Sequence, residues 1–169
     1  ERLKIISITN FDERFDDFWL KVKGKFSITL WKDSGYLNWR YFSCPDREYI
    51  VLAAEERGEL LGFVVVRCGV EQKWVGHIVD LLFAPERLTV TSALLSSSIK
   101  YLRSQGMDIV ACHVFEHSLF YPLLISRGFS RQRADLPLVV RPLVSDLYCL
   151  DTILNFRRWH LTGGDIDVF

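Results

Sequence analysis

The run IVDLLFAPERLTVTS, Ile78 to Ser92, decides how this chain folds. Its first half is apolar except for Asp80 and is halted by Pro85, which reads as a buried strand ending where the ladder loses a donor. Its second half offers Thr89 or Thr91 as the cap of a helix reaching to Gln105. Leu94, Leu95, Ile99 and Leu102 recur three and four apart on the face to be buried, and Gly106 is the stop. A long buried strand thus runs through one loop into a long helix.

Upstream, the β-rich runs Tyr49–Glu55 and Leu60–Cys68 are joined at Arg57-Gly58, the signature of an antiparallel hairpin. Trp74–Phe83, after the polar Glu71-Gln72-Lys73, extends it into a three-stranded meander. Leu3–Thr9 predicts a first strand, and Asn10 the N-cap of a helix that buries Phe11, Phe15, Phe18 and Trp19. Acidic residues open that helix and Lys21, Lys23 and Lys25 close it, the order its dipole favours. A short helix over Tyr36–Phe42 stops before Pro45. Downstream come a strand, Ile109–Phe115, a helix, Ser118–Ser126, closed by Arg127-Gly128, and extended chain over Phe129–Arg133. Leu138–Val144 and Arg158–Leu161 are the candidate last strands, with a helical turn at Thr152–Phe156 between them. The expectation is one domain over residues 1–169, α/β (α+β), with a central mixed sheet and helices on both faces.

Composition narrows the function. Twenty-one basic residues balance twenty-one acidic ones, so no net field draws nucleic acid or anionic lipid. With 49% hydrophobic and 14% aromatic residues the chain has a core to bury and is not of the disordered class. The longest charge-free stretch, Leu88–Ile99, is interrupted by Thr and Ser and falls short of the roughly 20 apolar residues that span a bilayer. No signal-peptide pattern opens the sequence, though a start at Glu1 rather than Met admits a longer parent chain. Cys44, Cys68, Cys112 and Cys149 are far apart with no CxxC pair, consistent with reduced thiols and a cytoplasmic setting.

Four strings, in order, resemble the GNAT acyltransferase superfamily as it occurs in bacteria. LNWRYFSCPDREYIVLAAEERGELLGFVVVR, Leu37 to Arg67, looks like the start of such a domain, and IVDLLFAP, Ile78 to Pro85, like its fourth strand. SRGF, ending at Phe129, is similar to the Gly-Phe after the penultimate helix, and LTGGDID, Leu161 to Asp167, to an acidic C-terminal tail. The resemblance implies a GNAT-like acyl-CoA acyltransferase fold and transfer of an acetyl or acyl group from coenzyme A to a small-molecule or protein amine. It implies that acyl-CoA lies where the fourth and fifth strands diverge, with Leu82, Phe83 and the loop and helix start at Arg87, Thr89, Val90, Thr91 and Ser92 toward it. Backbone N–H near Phe83 would polarise the thioester carbonyl. Family chains also pair their last strands or carry two such halves, so a homodimer or a preceding GNAT-like domain is a candidate partner.

Two departures stand out. The superfamily's cofactor loop is rich in glycine because backbone amides must approach the pyrophosphate closely, whereas PERLTVTS has none. The position of the usual catalytic tyrosine is Leu124, with Tyr121 one turn earlier. A catalytically degenerate GNAT-like domain that binds a ligand or partner is therefore the rival reading.

The residues themselves offer candidates. Strand alternation puts Asp80 on the face of Ile78 and Leu82, where desolvation would raise its pKa toward that of a base for an ammonium substrate; the alternative is a paired structural carboxylate. Glu116 and His117 fall at the mouth beyond the fifth strand, Glu116 as a second candidate base and His117 as a substrate contact. Tyr121 is the remaining candidate to protonate the leaving thiolate. Trp39, Arg40 and Tyr41 either line the acceptor pocket or pack their helix on the sheet. His113, Glu116 and His117 spell H-x-x-E-H, but their strand context places the two histidines apart, and no metal is expected. Arg127, Arg131 and Arg133 form a basic cluster, facing phosphate or merely solvent.

Overall fold

The computed structural model describes residues 2–69, 74–84, 86–132, 138–143 and 146–166, excluding the side chains of Leu147 and Tyr148. Its strands are β1 (Lys4–Ile8), β2 (Ile50–Glu56), β3 (Glu59–Cys68), β4 (Val75–Phe83) and β5 (Ile109–Cys112). Its α-helices are α1 (Glu13–Val22), α2 (Ser34–Tyr41), α3 (Leu88–Ser104), α4 (Tyr121–Ile125) and α5 (Leu147–Leu154). The five strands form one sheet in chain order, antiparallel from β1 to β4, with β5 parallel to β4. The expected mixed sheet is present. The β2–β3 turn uses left-handed backbone at Arg57 (φ 54°) and Gly58 (φ 78°), as a two-residue hairpin requires.

Helices cover both faces. Phe63 on β3 meets Phe11 at 5.6 Å and Phe15 of α1 at 5.6 Å, both edge-on. Gly76 of β4, paired with Cys68 on the other face, is glycine because a Cβ would fall 2.8 Å from Leu102 of α3. The amphipathic spacing read in the sequence therefore seats α1 and α3 on opposite sides. Phe15, Phe63, Leu94 and Leu102 are all fully or almost fully buried, each contributing about 1.5–3 kcal/mol of transfer free energy.

Several local boundaries differ from expectation. The N-cap of α1 is Asp12, whose Oδ1 accepts from Arg14 N at 3.0 Å, and not Asn10. The N-cap of α3 is Arg87, without a side-chain cap bond, so Thr89 and Thr91 lie inside the first turn. The strand expected over Ile109–Phe115 ends at Cys112, and the helix expected from Ser118 begins at Tyr121. Leu138–Leu143 have no regular structure, and Val144 lies outside the described residues. Their apolar residues are mostly solvent-facing, with Leu143 90% exposed, so the strand-like composition met no neighbour. Phe129–Gln132 are likewise irregular, with Arg133 outside the described residues. In place of a strand at Arg158–Leu161 there are isolated bridges, Ile28 with Trp159 and Val114 with Thr162.

The feature that positions the site is in β4. Val65 pairs with Asp80 but Val66 pairs with Ile78, so Val79 is an extra residue, a β-bulge. Pairing of β4 with β5 ends at the same place, at Ile78 with Cys112. From Val79 to Phe83 the edge of β4 that β5 has left is open to another hydrogen-bonding group.

Candidate active site

The bulge resets which way the strand's side chains point. Asp80 shares the face of its partner Val65, and hence of Phe63, while Ile78 shares that of Val66. The expectation that Asp80 and Ile78 share a face is thus corrected: alternation does not run through a bulge. Asp80 faces α1 and α2, and Ile78 faces α3.

There Asp80 is completely buried, and its surroundings are ionic. Lys32, from the segment before α2, is 1% exposed and donates to Asp80 Oδ2 at 2.7 Å and Oδ1 at 2.8 Å. Its ammonium also lies 2.9 Å from Asp165 Oδ1. Tyr41 of α2 donates its hydroxyl to Asp80 Oδ2 at 2.8 Å, and Thr162 and Leu81 N donate to Asp80 Oδ1, each at 2.8 Å. Asp165 in turn accepts from Thr162 N at 2.8 Å, closing a capping box on the turn Gly163–Asp165. Gly164 is where two walls touch: a Cβ there would lie 2.0 Å from Tyr41 Oη and 3.2 Å from Asp80 Cβ. Arg40 binds the same turn from outside, donating to Gly164 O at 2.9 Å.

Two carboxylates share one ammonium inside this cluster. Burial by itself pushes Asp80 up, but the Lys32 ammonium and the hydrogen bonds from Lys32, Tyr41 and Thr162 hold it below the usual carboxylate value. The expected raised pKa is therefore corrected, since the sequence could not show a cation sealed against the carboxylate. Asp165 stays raised, by burial first and by the charge of Asp80, against the pull of Lys32. Burial lowers Lys32, and the two carboxylates more than reverse it. Tyr41, raised well above its ordinary value by burial and by Asp80, remains a protonated donor.

The other candidates lie apart from Asp80. Glu116 is exposed and paired with Arg131 at 2.6 Å, a solvated ion pair and not a buried base. Tyr121 opens α4 and is half-buried. Both line a cleft of about 1390 Å³ along β5 and α4, which also touches Thr162. Thr162 is thus common to the cleft and the Asp80 cluster. His117 donates Nε2–H to Trp159 O at 2.9 Å, while His113 lies parallel to His77 at 6.5 Å, so the H-x-x-E-H histidines part as their context implied. Trp39 is 65% exposed beside Tyr36, whereas Arg40 and Tyr41 serve the C-terminal turn and Asp80. Cys112 is pushed up to about 12 by burial and is not a thiolate at neutral pH.

Around the helix start, Leu82, Phe83, Val90 and Thr91 have buried side chains, so they can face a ligand only through backbone. Thr91 Oγ1 is directed to Arg87 O at 3.4 Å, not outward. Thr89 is exposed, Ser92 touches Arg127 from α4's end, and Arg87 pairs with Glu56 at 2.9 Å. Leu88, Thr89 and Ser92 line an open hollow on this end of α3. Val90 N and Thr91 N already donate to Arg87 O, which leaves the amides of Leu88 and Thr89, two hydroxyls and two guanidinium groups of a kind that suits a diphosphate even without glycine.

Lys32, Thr162, His160 and Asp165 were not singled out from sequence. The Thr-x-x-Asp spacing in LTGGDID was a legible capping signal. Lys32, between Trp31 and Asp33, carried none.

Comparison with known proteins agrees with this architecture. The profile of the Acetyltransferase (GNAT) family matches residues 12–120. A ribosomal-protein-alanine N-acetyltransferase from Brucella melitensis biovar Abortus 2308 superposes with TM-score 0.60 at 11% identity, over 83% of this chain and 100% of that one. The aminoglycoside acetyltransferase meta-AAC0020, from an uncultured soil metagenomic sample, gives 0.57 at 13% identity, over 82% and 97%. AAC(6')-Iy, bound to a bisubstrate analogue of coenzyme A, gives 0.58 at 12% identity, over 84% and 100%. At such identities these are likenesses of fold. No curated protein matches in sequence. The profile match spans more than half of the chain, over the meander, the bulged strand and the helix it feeds, and the chain belongs to the GNAT acetyltransferase family.

Proposed function

We propose that this protein is an acyl-CoA-dependent N-acyltransferase that passes an acetyl or acyl group to an amine by direct attack. The observation that carries this is the coincidence of the Val79 bulge with the end of β4–β5 pairing, which frees the β4 edge just before α3 begins. The acyl-CoA supplies the activated thioester. A backbone amide near Phe83 polarises its carbonyl. The amides of Leu88 and Thr89, with the side chains of Thr89, Ser92, Arg87 and Arg127, hold its diphosphate. Tyr121 protonates the departing thiolate, Glu116 borders the cleft by which an acceptor arrives, and His117, next to it in the chain, is a substrate contact. Asp80 acts here as an anchor: with Lys32, Tyr41 and Thr162 already on it, it fixes the acceptor-side wall. Trp39, exposed beside that wall, is available to an acceptor's apolar part.

The acceptor is an amine of a small molecule or of a protein. Similar folds include aminoglycoside acetyltransferases and a ribosomal-protein-alanine N-acetyltransferase, so both classes are accessible to the architecture. A second copy or a preceding GNAT-like domain is a further partner, and the setting is cytoplasmic. No helix among the described residues is long and apolar enough to cross a membrane.

The test is the thermal midpoint with and without millimolar acetyl-CoA or free coenzyme A, followed by thiol release across an amine panel. A ligand at 100 times its Kd adds about 2.7 kcal/mol to the native state, a rise of several degrees. Absence of any saturable rise refutes the proposal and leaves a fold that has lost its cofactor.

A further inference from the structure

Thr162 stands where two open features of the fold meet. The stretch of β4 that β5 has left begins at Val79, and Thr162 is bonded to the next residue, its Oγ1 lying 2.8 Å from Asp80 Oδ1. On its other side Thr162 makes an antiparallel bridge with Val114, two residues beyond the end of β5. It therefore sits between the diverging strands, and although nearly buried it is one of the residues that wall the cleft. Of the cluster formed by Lys32, Tyr41, Asp80, Asp165 and Thr162, it alone does so.

The same layout sets the direction of the cofactor. With the diphosphate at the start of α3, which follows Phe83, a thioester lying back along the open stretch carries its acyl end toward Asp80 and Thr162. An amine entering by the cleft meets that end at Thr162.

A hydroxyl has one proton and two lone pairs. The Thr162 proton can serve Asp80 Oδ1 at 2.8 Å or Asp165 Oδ2 at 3.2 Å, and Lys32 reaches the oxygen only at 3.4 Å. A lone pair is thus left to accept an N–H. Behind it two carboxylates share one ammonium, so the cluster can take up one proton and become neutral. Asp165 is the better acceptor of the two. Asp80 is held by Lys32, Tyr41 and Leu81 N, whereas Asp165 is raised by burial and by the charge of Asp80.

We infer that Thr162 is a catalytic residue of the proposed transfer, receiving the proton of the attacking amine on Oγ1 as its own proton passes to Asp165 Oδ2. This rests on the N-acyltransferase reading. The amine nitrogen bonds to the acyl carbon and the carbon–sulfur bond breaks. The nitrogen's proton moves to Thr162, the hydroxyl's proton moves to Asp165, and the sulfur leaves as thiolate to be protonated by Tyr121. Once bonded to the acyl carbon, the nitrogen is far more acidic than a free ammonium, so a carboxylate suffices as the base. Asp165 returns its proton by the same route to water in the emptied cleft.

The experiment compares Thr162→Val and Thr162→Ser with the unaltered full chain, by thermal midpoint with acetyl-CoA, steady-state thiol release and single-turnover rate with the best amine of the panel. Thr162→Val should keep the midpoint rise and the KM for acetyl-CoA while the single-turnover rate falls about 100-fold. Thr162→Ser, which keeps the hydroxyl, should recover most of that rate. A further measurement needs no variant: in mixtures of light and heavy water the rate of the unaltered chain should bow below a straight line in deuterium fraction, because two protons move together. An undiminished rate in Thr162→Val, or a Thr162→Ser as slow as Thr162→Val, overturns the inference alone, as does a linear or flat dependence on deuterium. If acetyl-CoA leaves the midpoint of the unaltered chain unchanged, or no amine releases thiol, the transferase reading falls first and this inference with it.

Discussion

Replacing Lys32 by Met removes one cation from a pocket that holds two carboxylates. Asp80 and Asp165 are left without the ammonium that stood 2.7 Å from one and 2.9 Å from the other. Breaking a buried pair from one side typically destabilises by about 3–5 kcal/mol, because the remaining charge is unsolvated. The protein can limit that loss by protonating one carboxylate. For a group with an unfolded pKa of 3.8 this costs about 4.4 kcal/mol at pH 7 and about 1.6 kcal/mol at pH 5, at about 1.36 kcal/mol per unit. Lys32→Met should therefore lose about 4 kcal/mol at pH 7 and about 2 kcal/mol at pH 5 relative to the unaltered chain.

The sign distinguishes this from loss of packing. In the unaltered chain Asp80 is depressed, so its stabilisation is present above 3.8 and is lost only as pH falls through its lower folded value. In the variant the surviving carboxylates are raised, so stability falls as pH climbs from 5 to 7. Urea unfolding at the two pH values, followed by tryptophan fluorescence and circular dichroism, reads both quantities. Adding Asp80→Asn should recover at least half of the loss and flatten the pH difference. A deficit below about 1 kcal/mol, equal at both pH values, would refute the buried ionic cluster, since exposed pairs show that behaviour.

Gly164→Ala should destabilise by about 1–3 kcal/mol through overpacking, because its Cβ would fall 2.0 Å from Tyr41 Oη; combining it with Tyr41→Phe should give less than the sum in thermal melts. His160, pushed down to about 4 from 6.5, makes stability complete above pH 6.5 and progressively lost toward pH 4, by up to about 3 kcal/mol. His160→Phe should abolish that slope in urea titrations across the same range. Arg87→Ala should cost under about 1 kcal/mol of stability, its pair with Glu56 being 43% and 37% exposed. The same variant should weaken acetyl-CoA binding measured by calorimetry, and unchanged affinity would remove Arg87 from the diphosphate site.

What the sequence determined by itself is what depends on near neighbours. Helices α1 and α3 follow from apolar residues three and four apart, and the β2–β3 hairpin from Arg57-Gly58 between two β-rich runs. Element order and the four family-like strings then carried the GNAT assignment that the profile and fold comparisons support. Caps moved by one or two residues because several adjacent polar side chains compete for the same few amides, as Asn10 and Asp12 do. Leu138–Leu143 misled because β-forming composition reports a surface ready to pair, and no partner strand stands beside it among the described residues.

The tertiary structure alone decided the chemistry of the acceptor side. A bulge is a relation between two strands, so Val79 could not be recognised from β4, and with it went the facing of Asp80. Lys32, Asp80 and Asp165 are separated by long stretches of chain, and Lys32 and Asp165 alone look like ordinary surface charges. Only when the segment before α2 and the C-terminal turn close over β4 does water leave, and a carboxylate that looked like a free base becomes the paired centre of a buried ionic cluster.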